Sequence, residues 1–275
     1  MRRWGVGAGA LAVVLLASGC SAQEALSLNA PEGATEQAPT IESLWFGAWV
    51  AVAVVGLITG GLILFAAVRF RRKEGDPAPK QMRYNVPLEV MYTVVPLVMI
   101  LGMFFFTARD QIELTKVSDN PDNTVGVVGF RWSWAFNYVE DDVYDVGTAE
   151  VTDNPTLYLP VDESVVFELQ SPDVIHSFWI PAFLMKIDVF PDRLNKFEVT
   201  PNKVGTFAGR CAELCGVDHA RMLFTVKVVE RPEYDRHIAE LRAKGQVGSI
   251  ETDRITRDGE RYWESDRYLE PEGTL

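Results

Sequence analysis

Two long stretches of this chain carry no charge. Residues 44–68 and 90–108 are uncharged throughout. About 20 consecutive apolar residues in a helix cross the roughly 30 Å hydrocarbon core of a bilayer. Each stretch therefore predicts a membrane span. The loop between them, 69–83, carries Arg69, Arg71, Arg72, Lys73, Lys80 and Arg83 against only Glu74 and Asp76. Short loops rich in Lys and Arg stay on the cytoplasmic side. The pattern over 42–108 thus predicts a helical hairpin with a basic cytoplasmic loop, 69–83, and both ends outside. A shorter apolar run, 6–17, follows Arg2 and Arg3 and ends in Ser18-Gly19-Cys20. This reads as a lipoprotein-type export signal over 1–19, with Cys20 the lipidated first residue of the mature chain. An ordinary signal or a third span is the alternative, but the run is short for a span. Residues 20–41 are small and polar with Pro31, Gly33 and Pro39, which predicts a flexible exported tether.

Beyond residue 108 the period changes. Short runs at 124–129, 156–160, 164–169, 195–200 and 223–229 are rich in Val, Phe and Thr and bounded by Pro, Gly, Asp and Asn. They predict an antiparallel β-sandwich or barrel over 109–230. Phe130-Arg131-Trp132-Ser133-Trp134-Ala135-Phe136-Asn137-Tyr138 alternates as one aromatic strand. From Arg231 the period becomes helical, with Pro232 at the start and Tyr234, Ile238 and Leu241 on one face. Gly245 can end that helix, and 246–275 are polar with scattered aromatics. The fold class expected is a two-helix transmembrane hairpin followed by an all-β sandwich.

The formal net charge is −12. With the hairpin loop basic, the acidic charge concentrates in the exported part. That argues against a nucleic-acid partner and favours basic ones. Of three cysteines, Cys20 is assigned to lipid, leaving Cys211 and Cys215. They lie in Cys211-Ala-Glu213-Leu-Cys215-Gly-Val-Asp-His219-Ala-Arg-Met222, and His176 lies 35 residues before Cys211. Thiolates, imidazoles and a thioether are the donors that select copper over magnesium or calcium. A single-copper electron-transfer site needs one Cys; here there are two, and two thiolates can bridge two metals. A disulfide is the competing reading in an oxidising compartment. Zinc is another, although it has no use for Met222. His237, alone in the tail helix, reads as structural.

The pattern Cys-x-Glu-x-Cys-x3-His-x2-Met with a distant His resembles the dinuclear copper A centre. Asp173-Val-Ile-His176-Ser-Phe-Trp-Ile-Pro, Lys186-Ile-Asp188 and Pro191-Asp-Arg193 are similar to subunit II of haem–copper cytochrome c oxidases. The resemblance runs from the first span to residue 230. It implies a cupredoxin-like domain in which Cys211 and Cys215 bridge two copper ions. His176 and His219 would bind one copper each, Met222 would be a weak axial ligand, and Glu213 would contribute its backbone carbonyl. The Glu213 carboxylate would hold a magnesium ion shared with subunit I. Trp132 would accept the electron from cytochrome c, and Glu89 would stand at the mouth of a proton pathway. Lys186, Asp188 and Arg193 match positions near the subunit interface and the haem propionates. Implied partners are subunits I and III, cytochrome c or a membrane-bound cytochrome c domain, and membrane lipid. The implied location is a bacterial cell membrane, with the N-terminus and copper domain on the outer face. Ser133 and Arg131 depart from the family, where Tyr and a neutral residue are usual. Glu140, Asp141, Asp142 and Asp145 read equally as a docking surface or a solvated loop. The chain lacks the Cys-x2-Cys-His that would attach its own haem c. Rival readings are a quinol oxidase subunit II, a lipid-anchored copper-delivery protein and nitrous oxide reductase.

Overall fold

The computed structural model describes residues 27, 30–72, 74–79, 81–147, 154–191 and 193–250. The expected signal, Cys20 and residues 251–275 lie outside the described residues. Helix α1 spans Ala38–Arg69 and α2 spans Val86–Leu114. Among the described residues nothing buries their most apolar stretches, and both are long enough to cross a membrane. Each helix outruns its uncharged segment, and α2 carries the paired Arg109 and Asp110 beyond it. At the start of α2, Asn85 Oδ1 accepts from the Leu88 N–H. Glu89 Oε1 accepts from the Asn85 N–H at 2.9 Å. This reciprocal cap satisfies backbone donors that a helix start otherwise leaves unpaired.

Residues 33–41 correct the flexible-tether expectation. The Ala34 N–H donates to the Ala182 carbonyl at 2.8 Å, and the Asn202 N–H to the Ala34 carbonyl at 3.0 Å. Thr35 bridges to Pro201, and α1 has begun by Ala38. Small side chains make this possible: Ala34, Thr35 and Ala38 are buried where larger residues would not fit. The start of α1 is thereby clipped to the sandwich.

Ten strands form two five-stranded sheets. They are β1 (Asn123–Phe130), β2 (Ser133–Tyr138), β3 (Val143–Val146), β4 (Thr156–Pro160), β5 (Val165–Gln170), β6 (His176–Ile180), β7 (Met185–Val189), β8 (Asn195–Val199), β9 (Gly205–Cys211) and β10 (Leu223–Val229). One sheet has the order β3-β2-β1-β5-β8 and the other β4-β10-β9-β6-β7. The β1–β5 and β4–β10 pairs are parallel and the rest antiparallel. The cupredoxin-like sandwich expected from the resemblance is the fold observed. Alternation along the strands sends Val125, Val127, Trp134, Phe136, Phe167, Phe178 and Phe224 into the space between the sheets. Phe178 and Phe224 stack with centroids 4.9 Å apart, and Trp134 meets Phe224 edge-on.

The aromatic run 130–138 is not one strand. β1 ends at Phe130, β2 begins at Ser133, and Arg131-Trp132 is the turn between them. Neither residue carries the Asn or Gly that marks a two-residue hairpin, so the alternation hides the turn.

Helix α3 (Arg231–Ala243) packs Tyr234, Ile238 and Leu241 into the same core. The His237 ring stacks on Tyr158 at 3.7 Å. Its Nε2 is buried without a hydrogen-bond partner among the described residues. Burial, and then Lys244 and Lys227, push its pKa down to about 4. A depressed folded-state pKa means the unfolded chain takes up this proton more readily. Its contribution is complete above about 6.5 and is lost as pH falls from there to about 4. Hydrogen exchange in residues 231–243 is therefore expected to speed up across that window. His237→Phe, which keeps the stack and removes the proton site, should flatten the response; an unchanged profile would count against it.

Candidate metal centre

Strands β1, β5 and β9 end, and β2, β6 and β10 begin, at one end of the sandwich. That end gathers the chemistry-bearing residues. His176 opens β6 and Cys211 closes β9, so both are on strand termini rather than in the loops between strands. Cys215, His219 and Met222 sit on the β9–β10 connection. The Cys211 and Cys215 sulfurs lie 3.9 Å apart and form no disulfide. His176 Nδ1 is 3.9 Å from Cys211 Sγ, and His219 Nδ1 is 3.6 Å from Cys215 Sγ. Met222 Sδ is 3.8 Å from Cys215 Sγ, and the Glu213 carbonyl oxygen is 3.3 Å from Cys211 Sγ. Cys211, Cys215, His176 and Met222 are buried, whereas the Glu213 side chain is exposed.

The donor set fits a metal. A metal–thiolate bond is about 2.3 Å, so sulfurs at 3.9 Å leave room for ions between them. Protonation points the same way. A hydrogen bond from the Cys215 thiol, with help from His176 and despite burial, pulls the Cys211 thiol down to about 3. The Cys211 thiolate and burial push Cys215 up. Two buried thiolates this close repel, so without a cation the pair keeps one proton between them. A bound cation makes the doubly ionised pair stable and releases that proton.

Asp173, between β5 and β6, ties the centre to the β1–β2 turn. Its Oδ1 contacts His176 Nε2 at 2.8 Å and accepts from the Val174 N–H at 2.6 Å. Its Oδ2 accepts from the Arg131 N–H at 2.8 Å and from Arg131 Nε at 3.3 Å. Burial opposes its charge, but the hydrogen bonds from His176, Val174 and Arg131 hold its pKa at about 2. Burial likewise opposes charge on His176, yet Asp173 and Cys211 together raise it. A carboxylate on Nε2 keeps the proton there and leaves the Nδ1 lone pair toward the sulfurs. In the sequence Asp173 stands three residues before His176, and nothing there points to its hold on Arg131.

Trp132 rests on the residue after Cys215. A Cβ at Gly216 would lie 2.9 Å from the Trp132 ring, and Gly216 has φ +133°. Only glycine adopts that backbone with a ring against it. The Trp132 Nε1 is buried without a partner among the described residues.

Other expected residues lie elsewhere. Lys186 donates to Asp188 at 2.9 Å and to Ser177 at 3.1 Å, and Arg193 lies over the Phe190 ring. Glu89 caps α2, far along the chain from the metal ligands. The acidic run 140–142 does not border Trp132: six-residue β2 separates them, about 20 Å at roughly 3.3 Å per residue. Those acids hold structure instead. Glu140 accepts from the Thr124 N–H, and Asp141 accepts from the Tyr234 hydroxyl. Asp145 caps Val146 and Thr156.

The family model for the periplasmic domain of cytochrome c oxidase subunit II matches residues 123–229. A probable cytochrome c oxidase subunit 2 of Streptomyces avermitilis is 46% identical, the match covering 86% of each chain. Cytochrome c oxidase subunit 2 of Mycobacterium tuberculosis strain H37Rv is 33% identical, covering 84% of this chain and 78% of that one. Among solved structures, the periplasmic domain of subunit II of the Bradyrhizobium japonicum oxidase shares 30% identity with a TM-score of 0.44. It covers 46% of this chain and 99% of that one. With a paired-thiol site at one end of a sandwich that follows two membrane-length helices, this chain belongs to the cytochrome c oxidase subunit II family and is a subunit of an oxidoreductase.

Proposed function

We propose that this subunit receives electrons from cytochrome c at a dinuclear copper A centre and passes them to haem a of subunit I. Oxygen reduction to water and the coupled proton pumping take place in that partner. The observation that carries this reading is the convergence of two free thiols, two imidazoles and a thioether on one end of the sandwich. Cys211, Cys215, His176, His219, Met222 and the Glu213 carbonyl would hold the two copper ions. Copper bound there would supply a one-electron relay. The protein's part is to hold that geometry rigid, so that little moves when an electron arrives. Asp173 orients His176. Burial of the thiols keeps water and adventitious ligands away.

Trp132 is the receiving residue, because its ring touches Gly216 and so connects the surface to Cys215 by packed and covalent contacts. The exposed Glu213 carboxylate holds magnesium at the boundary with subunit I. Glu89 stands at the cytoplasmic end of α2 as the opening of a proton pathway, in addition to capping its helix. Subunit III and membrane lipid complete the surroundings, and Cys20 carries a lipid. The basic loop 69–83 supports a topology in which both helices cross a bacterial membrane and the copper domain lies on its outer face.

Metal analysis and electron paramagnetic resonance of the purified oxidase test the centre. Two coppers at this site sharing one unpaired electron are expected; a single copper or zinc would refute it. Gly216→Ala tests the route through Trp132. The new methyl group forces the ring off its seat, so reduction by cytochrome c should slow while both coppers remain bound. An unchanged rate in stopped-flow reduction would remove Trp132 from the path.

A further inference from the structure

A hydrogen-bonded line runs from the β1–β2 turn to a metal ligand. His176 Nε2 contacts Asp173 Oδ1 at 2.8 Å. The other carboxylate oxygen accepts twice from one residue: from the Arg131 N–H at 2.8 Å and from Arg131 Nε at 3.3 Å. These two contacts differ in kind. The backbone bond is short and fixes the turn, and any residue except proline could make it at position 131. The side-chain bond is long for N–H···O, so it adds little to that hold. What the side chain brings is a permanent positive charge.

That charge stands beside a buried anion. The Asp173 side chain is 4% exposed and that of Arg131 32%. Among the described residues, no lysine and no other arginine pairs with Asp173. A metal-bound histidine is neutral and gives its second ring N–H to a partner such as this carboxylate. The Arg131 guanidinium is then the one full counter-charge to Asp173 among the described residues. The Ser171 hydroxyl and the Val174 N–H also donate to Oδ1, but neutral donors offset a charge less than a cation does. An uncompensated carboxylate on Nε2 makes the imidazole a stronger ligand and favours the oxidised, more positive state of a metal bound at Nδ1. A guanidinium on the far oxygen draws the carboxylate's charge away from the ring and favours the reduced state.

We infer that the Arg131 side chain raises the reduction potential of the metal centre, acting through Asp173 on His176, while the Arg131 backbone anchors the turn that carries Trp132. Arg131 is thus a positioning residue with two separable parts, one electrostatic and one geometric. The direction matters to a relay: a higher potential favours taking an electron from the donor and disfavours passing it on. The inference rests on the copper reading of the site, and it concerns an equilibrium rather than turnover.

Redox titration of the purified oxidase, followed by the absorption of the copper centre, tests it. Arg131→Gln keeps the backbone bond and removes the charge. Reduction of the centre by cytochrome c should become about three- to tenfold less favourable at equilibrium; tenfold is about 59 mV for one electron. Arg131→Lys should recover most of that loss, because it restores the charge. Copper content should match the parent in both variants, and so should hydrogen exchange at 131–134, where the backbone bond is kept. An unchanged potential in Arg131→Gln with copper fully bound would overturn the inference. So would a low potential in Arg131→Lys, since side-chain shape rather than charge would then be the cause. Copper loss from Arg131→Gln, or faster exchange at 131–134, would also overturn it, by tracing any shift to a displaced site. Failure of the copper reading itself shows separately, as metal analysis of the parent oxidase would find no copper pair before any variant is made.

Discussion

Replacing Cys211 or Cys215 by serine is expected to abolish electron uptake from cytochrome c, with the haems of subunit I still in place. The two sulfurs lie 3.9 Å apart, and each lies beside an imidazole: Cys211 beside His176, Cys215 beside His219. In the proposed centre each contributes a bond to both metals, so one substitution removes two bonds and the bridge at once. Serine keeps the shape but offers a hard, poorly ionised oxygen where soft donors are needed. The loss should exceed the roughly 10–100-fold that removing a ligand-orienting partner causes. Met222→Leu supplies the contrast. It deletes one thioether at 3.8 Å from Cys215 from a fully buried position, and leucine fills similar volume at modest packing cost. Copper should stay bound and its potential should move. Copper content and absorption spectra of the two variants decide the matter. Equal damage from Met222→Leu and Cys211→Ser would contradict the assigned roles.

Asp173→Asn should lower copper affinity by about 10–100-fold, the range for groups that orient a metal-bound histidine. Every side-chain contact that Asp173 makes asks its carboxylate to accept, the Ser171 hydroxyl at 3.1 Å included. The Val174 N–H and His176 Nε2 approach one oxygen, and the Arg131 N–H and side chain approach the other. An amide must turn its NH₂ toward one of these donor pairs. Either His176 loses the acceptor that fixes its tautomer, or the Arg131 turn loses its anchor. The carboxylate is also buried, so the unpaired donors left behind find no water to replace it. Two readouts separate these effects. Chelator competition measures copper affinity, and stopped-flow reduction at saturating copper measures the Trp132 route. Parent-like values in both would reduce Asp173 to an ordinary loop carboxylate.

Much of this molecule is local and could be read along the chain. The two helices follow from uncharged runs, because length and apolarity alone decide whether a helix suits a bilayer. Five strands and helix α3 follow from side-chain periods of two and of about 3.6. The metal ligands Cys211, Cys215, His219 and Met222 crowd into one connection, so their spacing announces them before any fold is known.

Relations between distant segments were not legible. Four strands, β3, β6, β7 and β9, were not picked out: they are short or rich in small residues, although Met185–Val189 alternates strictly between apolar and charged side chains. The turn at Arg131-Trp132 lacks turn residues of its own and is held by Asp173, 42 positions away. The acids at 140–142 follow Trp132 closely in the chain, yet β2 between them sets them at the opposite end of a strand. Residues 33–37 read as tether because small polar composition says nothing of a distant edge at Ala182 and Thr200 to pair with. Periodicity records which face a side chain takes. Which segment lies opposite that face depends on the register of strands far apart in the chain, and packing in the folded chain alone decides it.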